Sequence, residues 1–157
     1  MSGDKLDKID IQILTILQQR GRTKRNELAE TVSLSIPAVS ERLRKLEERG
    51  VIKGYNAILE PRRVGMELTA FIFITTESST FYPQIIEQAK KEPEILECHA
   101  ITGDGSHILK IRTRSTESLE KLLSRIQSWP GVTNTRTDVV LSSPKEQTSM
   151  PLTHLQK

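Results

Sequence analysis

Four cations, Arg20, Arg22, Lys24 and Arg25, fall within six residues, and about ten residues later comes a helical pattern with a polar stripe of its own. Val39, Leu43 and Leu46 recur at i, i+4 and i+7, the apolar face of one helix. With that face turned inward, Pro37, Ala38, Glu41, Arg42 and Lys45 are left outward. Small residues at the start of such a helix allow close approach to a base edge. Ala38 suits a thymine methyl, and Arg42 suits a bidentate contact with a base or a phosphate. Glu41 and Lys45 have the spacing of a solvated ion pair as well. The cations at 20–25 suit phosphates, which set affinity and salt dependence rather than sequence choice. The nucleic-acid contacts expected are therefore Arg22, Lys24, Arg25, Ser35, Pro37, Ala38, Ser40, Glu41, Arg42 and Lys45.

A second candidate site lies at Thr102, Gly103, Asp104, Gly105, Ser106 and His107. A glycine-rich turn exposes backbone N–H groups, Asp104 can receive an ammonium, and Ser106 offers a hydroxyl. That set matches an α-amino acid or a similar small polar metabolite. The same residue types also build an ordinary hairpin turn. Cys98, His99 and His107 are metal-ligating types, yet neighbours on a strand point to opposite faces and no fourth ligand accompanies them. Neither a metal nor a cofactor is expected. No nucleophile–base pair or carboxylate dyad can be assembled, so enzyme activity is not expected either.

The elements that must position these residues are legible from periodicity. Asp7 is expected to cap a first helix, with Asp10 in its first turn and Leu6, Ile9, Ile13, Ile16 and Leu17 on one stripe, ending at Gly21. Thr23 is the expected cap of a second helix bearing Leu28, Ala29 and Val32. Residues 33–35 make a turn, Ser35 caps the third helix with Pro37 at its second position, and Gly50 stops it. Residues 51–55 read as a short strand or wing. Residues 1–55 thus form a winged helix-turn-helix, 56–66 a linker, 67–142 a second domain and 143–157 a tail with little pattern. Within 67–142 the order is strand, helix, strand, strand, helix, strand. This is the ferredoxin-like βαββαβ arrangement, and the fold class is α+β.

The first strand of that domain is apolar on both faces. Ala70, Ile72 and Ile74 go one way, Phe71 and Phe73 the other, and Ile108 opposes Leu109 and Ile111 in the same manner. Helices cover only one face of such a sheet. A second copy is the simplest cover for the other, giving a symmetric homodimer. Two helical readers then address a palindromic site on double-stranded DNA. A βαββαβ sheet with Phe71 and Phe73 on one face is also the plan of an RNA-binding module, but residues 107–113 lack partner aromatics.

Composition bounds these readings. Charged residues are 27% and hydrophobic ones 36% of 157, with a net charge of +3. Residues 1–60 hold 11 Lys and Arg against 9 Asp and Glu, so local clustering decides the partner rather than bulk charge. Cys98 is the sole cysteine, which excludes a disulfide framework. The N-terminal residues lack a signal peptide's apolar core, and no apolar run approaches the roughly 20 residues of a membrane span. A cytoplasmic protein without membrane contact is expected.

Several groups of residues together resemble a known family. They are Leu6-Asp7-Lys8-Ile9-Asp10 with Ile13-Leu14; Gly21-Arg22; Glu27-Leu28-Ala29; Leu34-Ser35 with Val39, Arg42-Leu43 and Leu46-Glu47; and Gly50 to Tyr55. Later come Ile101-Thr102-Gly103-Asp104, Pro130-Gly131-Val132 and Met150-Pro151-Leu152. Over nearly its full length the chain is similar to the Lrp/AsnC, or feast/famine, transcription regulators of bacteria and archaea. The resemblance implies dimers paired through their sheets, often assembled into octamer-like rings, with amino-acid effectors bound between dimers near the loop matched by Gly103–His107. An architectural role without an effector is the alternative. The sequence departs from the family in two places. Ser33 stands where the family often has Gly, and the loop reads Gly103-Asp104-Gly105-Ser106 where Gly-Asp-aromatic-Asp is common.

Overall fold

The computed structural model describes residues 5–156. The chain divides into two compact units. One holds the residues up to Ile58 together with those from Lys145 onward, and the other is Leu59–Pro144.

The first unit is built on α1 (Lys8–Gln19), α2 (Arg25–Val32) and α3 (Ile36–Glu48). Asp7 and Asp10 form a reciprocal capping box at the start of α1: the Asp10 amide donates to Asp7 Oδ1 at 2.8 Å, and the Asp7 amide donates to Asp10 Oδ2 at 3.2 Å. Thr23 does not cap α2. Its hydroxyl and amide both donate to the Arg20 carbonyl, at 2.6 and 3.0 Å, so it closes the preceding turn and leaves Lys24 as an N-cap without a side-chain bond. Ser33 ends α2 at φ 58°, ψ 44°, and the Leu34 amide then reaches back to the Ala29 carbonyl at 3.0 Å. That closing bond is what demands a left-handed residue. Ser35 caps α3 by accepting the Ala38 amide at 3.2 Å, with Pro37 in the first turn. Ile13, Leu14, Leu28, Ala29, Val32, Val39, Leu43 and Leu46 make the core.

Two segments differ from expectation. Residues 51–55 form no strand: the Val51 and Ile52 amides both donate to the Leu46 carbonyl, at 2.9 and 3.1 Å, so the bonds a wing would need are spent closing α3. Val51 and Ile52 turn onto the core instead. The presumed tail also has a fixed place. Gln18 Nε2 donates to the Met150 carbonyl at 3.0 Å, the Met150 amide donates to Gln18 Oε1 at 2.7 Å, and Leu152 packs against the three-helix core. A side-chain amide thus acts as one rung of a ladder. It completes the backbone pairing of a segment too short and irregular to show a period.

The second unit comprises β1 (Leu68–Thr76), α4 (Tyr82–Lys91), β2 (Ile95–Ala100), β3 (His107–Thr113), α5 (Thr116–Gln127) and β4 (Val132–Val139). The sheet runs β2-β3-β1-β4 with every neighbour antiparallel, the ferredoxin-like order. Ala70, Ile72, Ile74, Leu109 and Ile111 share one core with Ile85 and Ala89 of α4, Leu119, Leu122 and Ile126 of α5, and Trp129. The opposite face is mixed rather than apolar. Phe71, Phe73 and Ile108 are half-buried there, beside Lys110, Arg112 and the exposed Arg136 and Asp138 of β4. The Arg136 guanidinium lies over the Phe73 ring, 4.1 Å from its centre.

Ser33 holds a conformation that costs an L-residue roughly 1 kcal/mol and costs glycine almost nothing. Ser33→Gly should therefore stabilise the first unit by about 1 kcal/mol, read as a raised urea midpoint at constant slope. A lowered midpoint would mean that the serine makes a compensating interaction.

Candidate nucleic-acid interface and effector hollow

On α3, the residues Pro37, Glu41, Arg44 and Lys45 are exposed, while Ala38, Ser40 and Arg42 are half-buried. Arg42 is not a free side chain. Its Nη1 donates to Asp7 Oδ2 at 2.6 Å and to Asp10 Oδ1 at 3.0 Å, and its side chain is 29% exposed. The capping box of α1 is at the same time the anion that anchors α3. The Asp10 amide and then Arg42 hold the Asp7 carboxyl below its ordinary value, and Asp7 in turn raises Arg42.

Glu41 is engaged chiefly by Arg44, whose Nε lies 2.9 Å from Glu41 Oε2 and whose Nη1 reaches Glu48 Oε1 at 2.6 Å. Lys45 is 4.0 Å from Glu41, the looser partner. Sequence reasoning passed over Arg44, although its i−3 and i+4 carboxylates were there to be read. Arg25 Nη1 donates to Ser40 Oγ at 3.2 Å, which ties the start of α2 to the exposed edge of α3. Arg22 and Lys24 are exposed and make no ion pair among the described residues. A hollow of about 420 Å³ beside α3 is lined by Asp7, Asp10, Ala38, Glu41, Arg42 and Lys45, among others.

In the second unit, a hollow of about 260 Å³ opens on the helix-free face of the sheet. Phe73, Thr75, Ile101, Thr102, Asp104, Gly105, Asn134 and Arg136 line it. Of the six loop residues expected there, Thr102, Asp104 and Gly105 take part, and Gly103 forms the exposed turn at φ 106°. Ser106 and His107 turn away. The Ser106 amide donates to the Ile74 carbonyl at 2.8 Å, and its hydroxyl lies 2.9 Å from His107 Nδ1. His107 is 1% exposed on the helical side, edge-on to Tyr82 with ring centres 4.8 Å apart, and burial pushes its pKa down. It is therefore neutral core rather than ligand. Among the described residues its Nε2 has no hydrogen-bond partner, which a neutral ring tolerates if the proton sits on Nδ1.

Gly105 is required by packing: a Cβ there would stand 2.9 Å from the Ile74 carbonyl oxygen. Thr75, Asn134 and Arg136 were missed by sequence reasoning. The signal was available, because βαββαβ order places β4 beside β1 and the register sets Phe73 opposite Arg136 and Thr75 opposite Asn134. Cys98 pairs with Leu109 on the helical face, whereas His99 lies on the other face with its Nε2 2.8 Å from Glu97. Those two side chains cannot share an ion.

The chain thus joins a three-helix unit, with exposed cations ahead of its third helix, to a βαββαβ unit with a hollow on its helix-free face. The family comparisons also find two modules, the second running six residues past the boundary of the second unit. Residues 6–53 match the winged helix-turn-helix DNA-binding model, and residues 69–150 match the Lrp/AsnC ligand binding domain. The HTH-type transcriptional regulator FL11 of Pyrococcus horikoshii is 39% identical over 94% of this chain and 97% of its own. The leucine-responsive regulatory protein of Escherichia coli is 39% identical over 92% and 90%. Among solved structures, a Neisseria meningitidis transcriptional regulator in complex with L-Met superposes with a TM-score of 0.90 at 35% identity, covering 96% of this chain and 99% of that one. The feast or famine regulatory protein of M. tuberculosis complexed with L-methionine gives 0.86 at 34%, covering 92% and 98%. The chain belongs to the Lrp/AsnC family.

The Asp7–Arg42 pair has a pH signature. Because the Asp7 pKa is lowered on folding, its contribution is complete above about pH 4 and is lost as pH falls below that. Asp7→Asn keeps a capping oxygen and removes the charge, so it should cost about 0.5–1 kcal/mol at pH 7, allowing for the half-exposed site. In urea titrations the gap between variant and wild type should close towards pH 3. A gap that is constant with pH would show that the ion pair contributes nothing.

Proposed function

We propose that this regulator binds a palindromic operator as a homodimer or a larger assembly of dimers, and that an α-amino acid in the hollow of the second unit modulates it. The observation that carries the DNA reading is the set of exposed, unpaired cations Arg22 and Lys24, next to Arg25 held at Ser40, beside the small residues at the start of α3. Arg22, Lys24 and Arg25 contact phosphates, and Ser35, Pro37, Ala38, Ser40, Glu41 and Lys45 border the groove. Arg42 sets the angle of α3 and does not itself read bases.

Three such helices and a handful of cations make too few contacts for a specific site, which favours two readers per operator. Around the hollow, the sheet face bearing Phe71, Phe73 and Ile108 among opposite charges is the surface that a second copy covers. The amino-acid effector is supported by the two L-methionine complexes among the structural neighbours, and by the hollow at the loop that the family model covers.

Replacing Lys24 and Arg25 together by Ala should weaken operator binding about equally for all sequences. It should also reduce the slope of log K against log salt by about 2, measured by gel shift from 50 to 300 mM salt. An unchanged slope would remove both from the interface. A thermal-shift panel of the twenty amino acids should give at least one rise in midpoint, since a ligand specific for the folded state stabilises it by mass action. A flat panel would leave a regulator without an amino-acid effector.

A further inference from the structure

We propose that Arg136 takes the carboxylate of the effector while Asp104 receives its ammonium, which selects zwitterions with uncharged side chains. This rests on the hollow being the effector site. Of the residues lining it, Arg136 is the one cation and Asp104 the one anion. The pair matches an amino acid's two main-chain charges, and no third charge lines the hollow for an ionised side chain. A lysine or glutamate side chain in the hollow would be desolvated against Phe73, Ile101 and neutral polar groups.

The geometry prepares Arg136 for this role. Register places it across from Phe73, and the ring lies 4.1 Å beneath its guanidinium carbon. A guanidinium resting on an aromatic face keeps its N–H donors at the rim, where a carboxylate can meet them in pairs. Its present partner, Asp138, is 3.5 Å away with both side chains exposed, and such a pair is readily given up. Asp104 makes no ion pair among the described residues. Asn134 and Thr75 lie beside them on the same wall, with donors and acceptors for the rest of the ligand.

The test is isothermal titration of the full chain with the twenty L-amino acids and, for each that binds, its primary amide, which keeps the ammonium and side chain but loses the carboxylate charge. Wild type should bind one or more neutral amino acids and prefer each to its amide by about 10- to 100-fold. Arg136→Ala should lose that preference, binding the acid about as weakly as the amide and leaving the amide unchanged. Arg136→Lys should restore part of it, because the charge returns without the fork. Asp138→Asn should bind at least as well as wild type. Full discrimination retained by Arg136→Ala, and again by Arg136→Gln, would overturn the assignment while leaving the hollow as the site. Preferred binding of lysine or glutamate would overturn the charge argument. If wild type binds none of the twenty, the effector reading itself fails, and this assignment with it.

Discussion

The first turn of α1 carries two carboxylates with two obligations each. Asp7 and Asp10 satisfy backbone amides at the start of their own helix and also hold the guanidinium of Arg42 on α3. Cap and anchor are one object, so the beginning of the first helix and the rotation of the third cannot vary independently. With Arg42 drawn inward, the outward stripe is narrow and begins with small residues, Pro37 and Ala38. Glu41 places a carboxylate on that stripe. Arg44 on one side and Lys45 on the other cancel that charge locally, so the stripe is shaped by sterics more than by net charge.

An analogous constraint governs the second unit. The loop between β2 and β3 presses on β1 so closely that only glycine fits at position 105, and Ser106 is bonded to the strand carbonyl beneath. This fastening gives the hollow a firm rim, with His107 buried under it as an uncharged wedge against Tyr82. The floor is the helix-free face of the sheet, where Phe73 carries Arg136. The same pleat therefore supplies the core on one side and the hollow on the other.

Much of this was legible in the chain. The helices, the Ser35 cap, the Asp7–Asp10 first turn and the βαββαβ order follow from period and capping chemistry, which are local. The left-handed Ser33 was legible as a departure from glycine, and the structure places it at φ 58°. What escaped depends on distance. Thr23 is a good cap by type, but its hydroxyl found a nearer acceptor at Arg20. The partners of Arg42 were not legible either, because the two carboxylates that hold it lie more than thirty residues away. Asn134 and Arg136 lie outside every local motif and join the hollow only through strand order. Residues 145–157 have no period at all, and the Gln18 side-chain amide and Leu152 help to fix the place of residues 150–152.

That last segment changes what kind of object the DNA reader is. Its fold is written in two pieces, with the whole of Leu59–Pro144 between them. During synthesis the three helices emerge well before Met150 and Leu152, and the sensing unit is complete before the reader's last wall exists. A nascent chain thus holds an open apolar flank along Leu14, Leu17, Val51 and Ile52 until Met150 and Leu152 arrive to cover it.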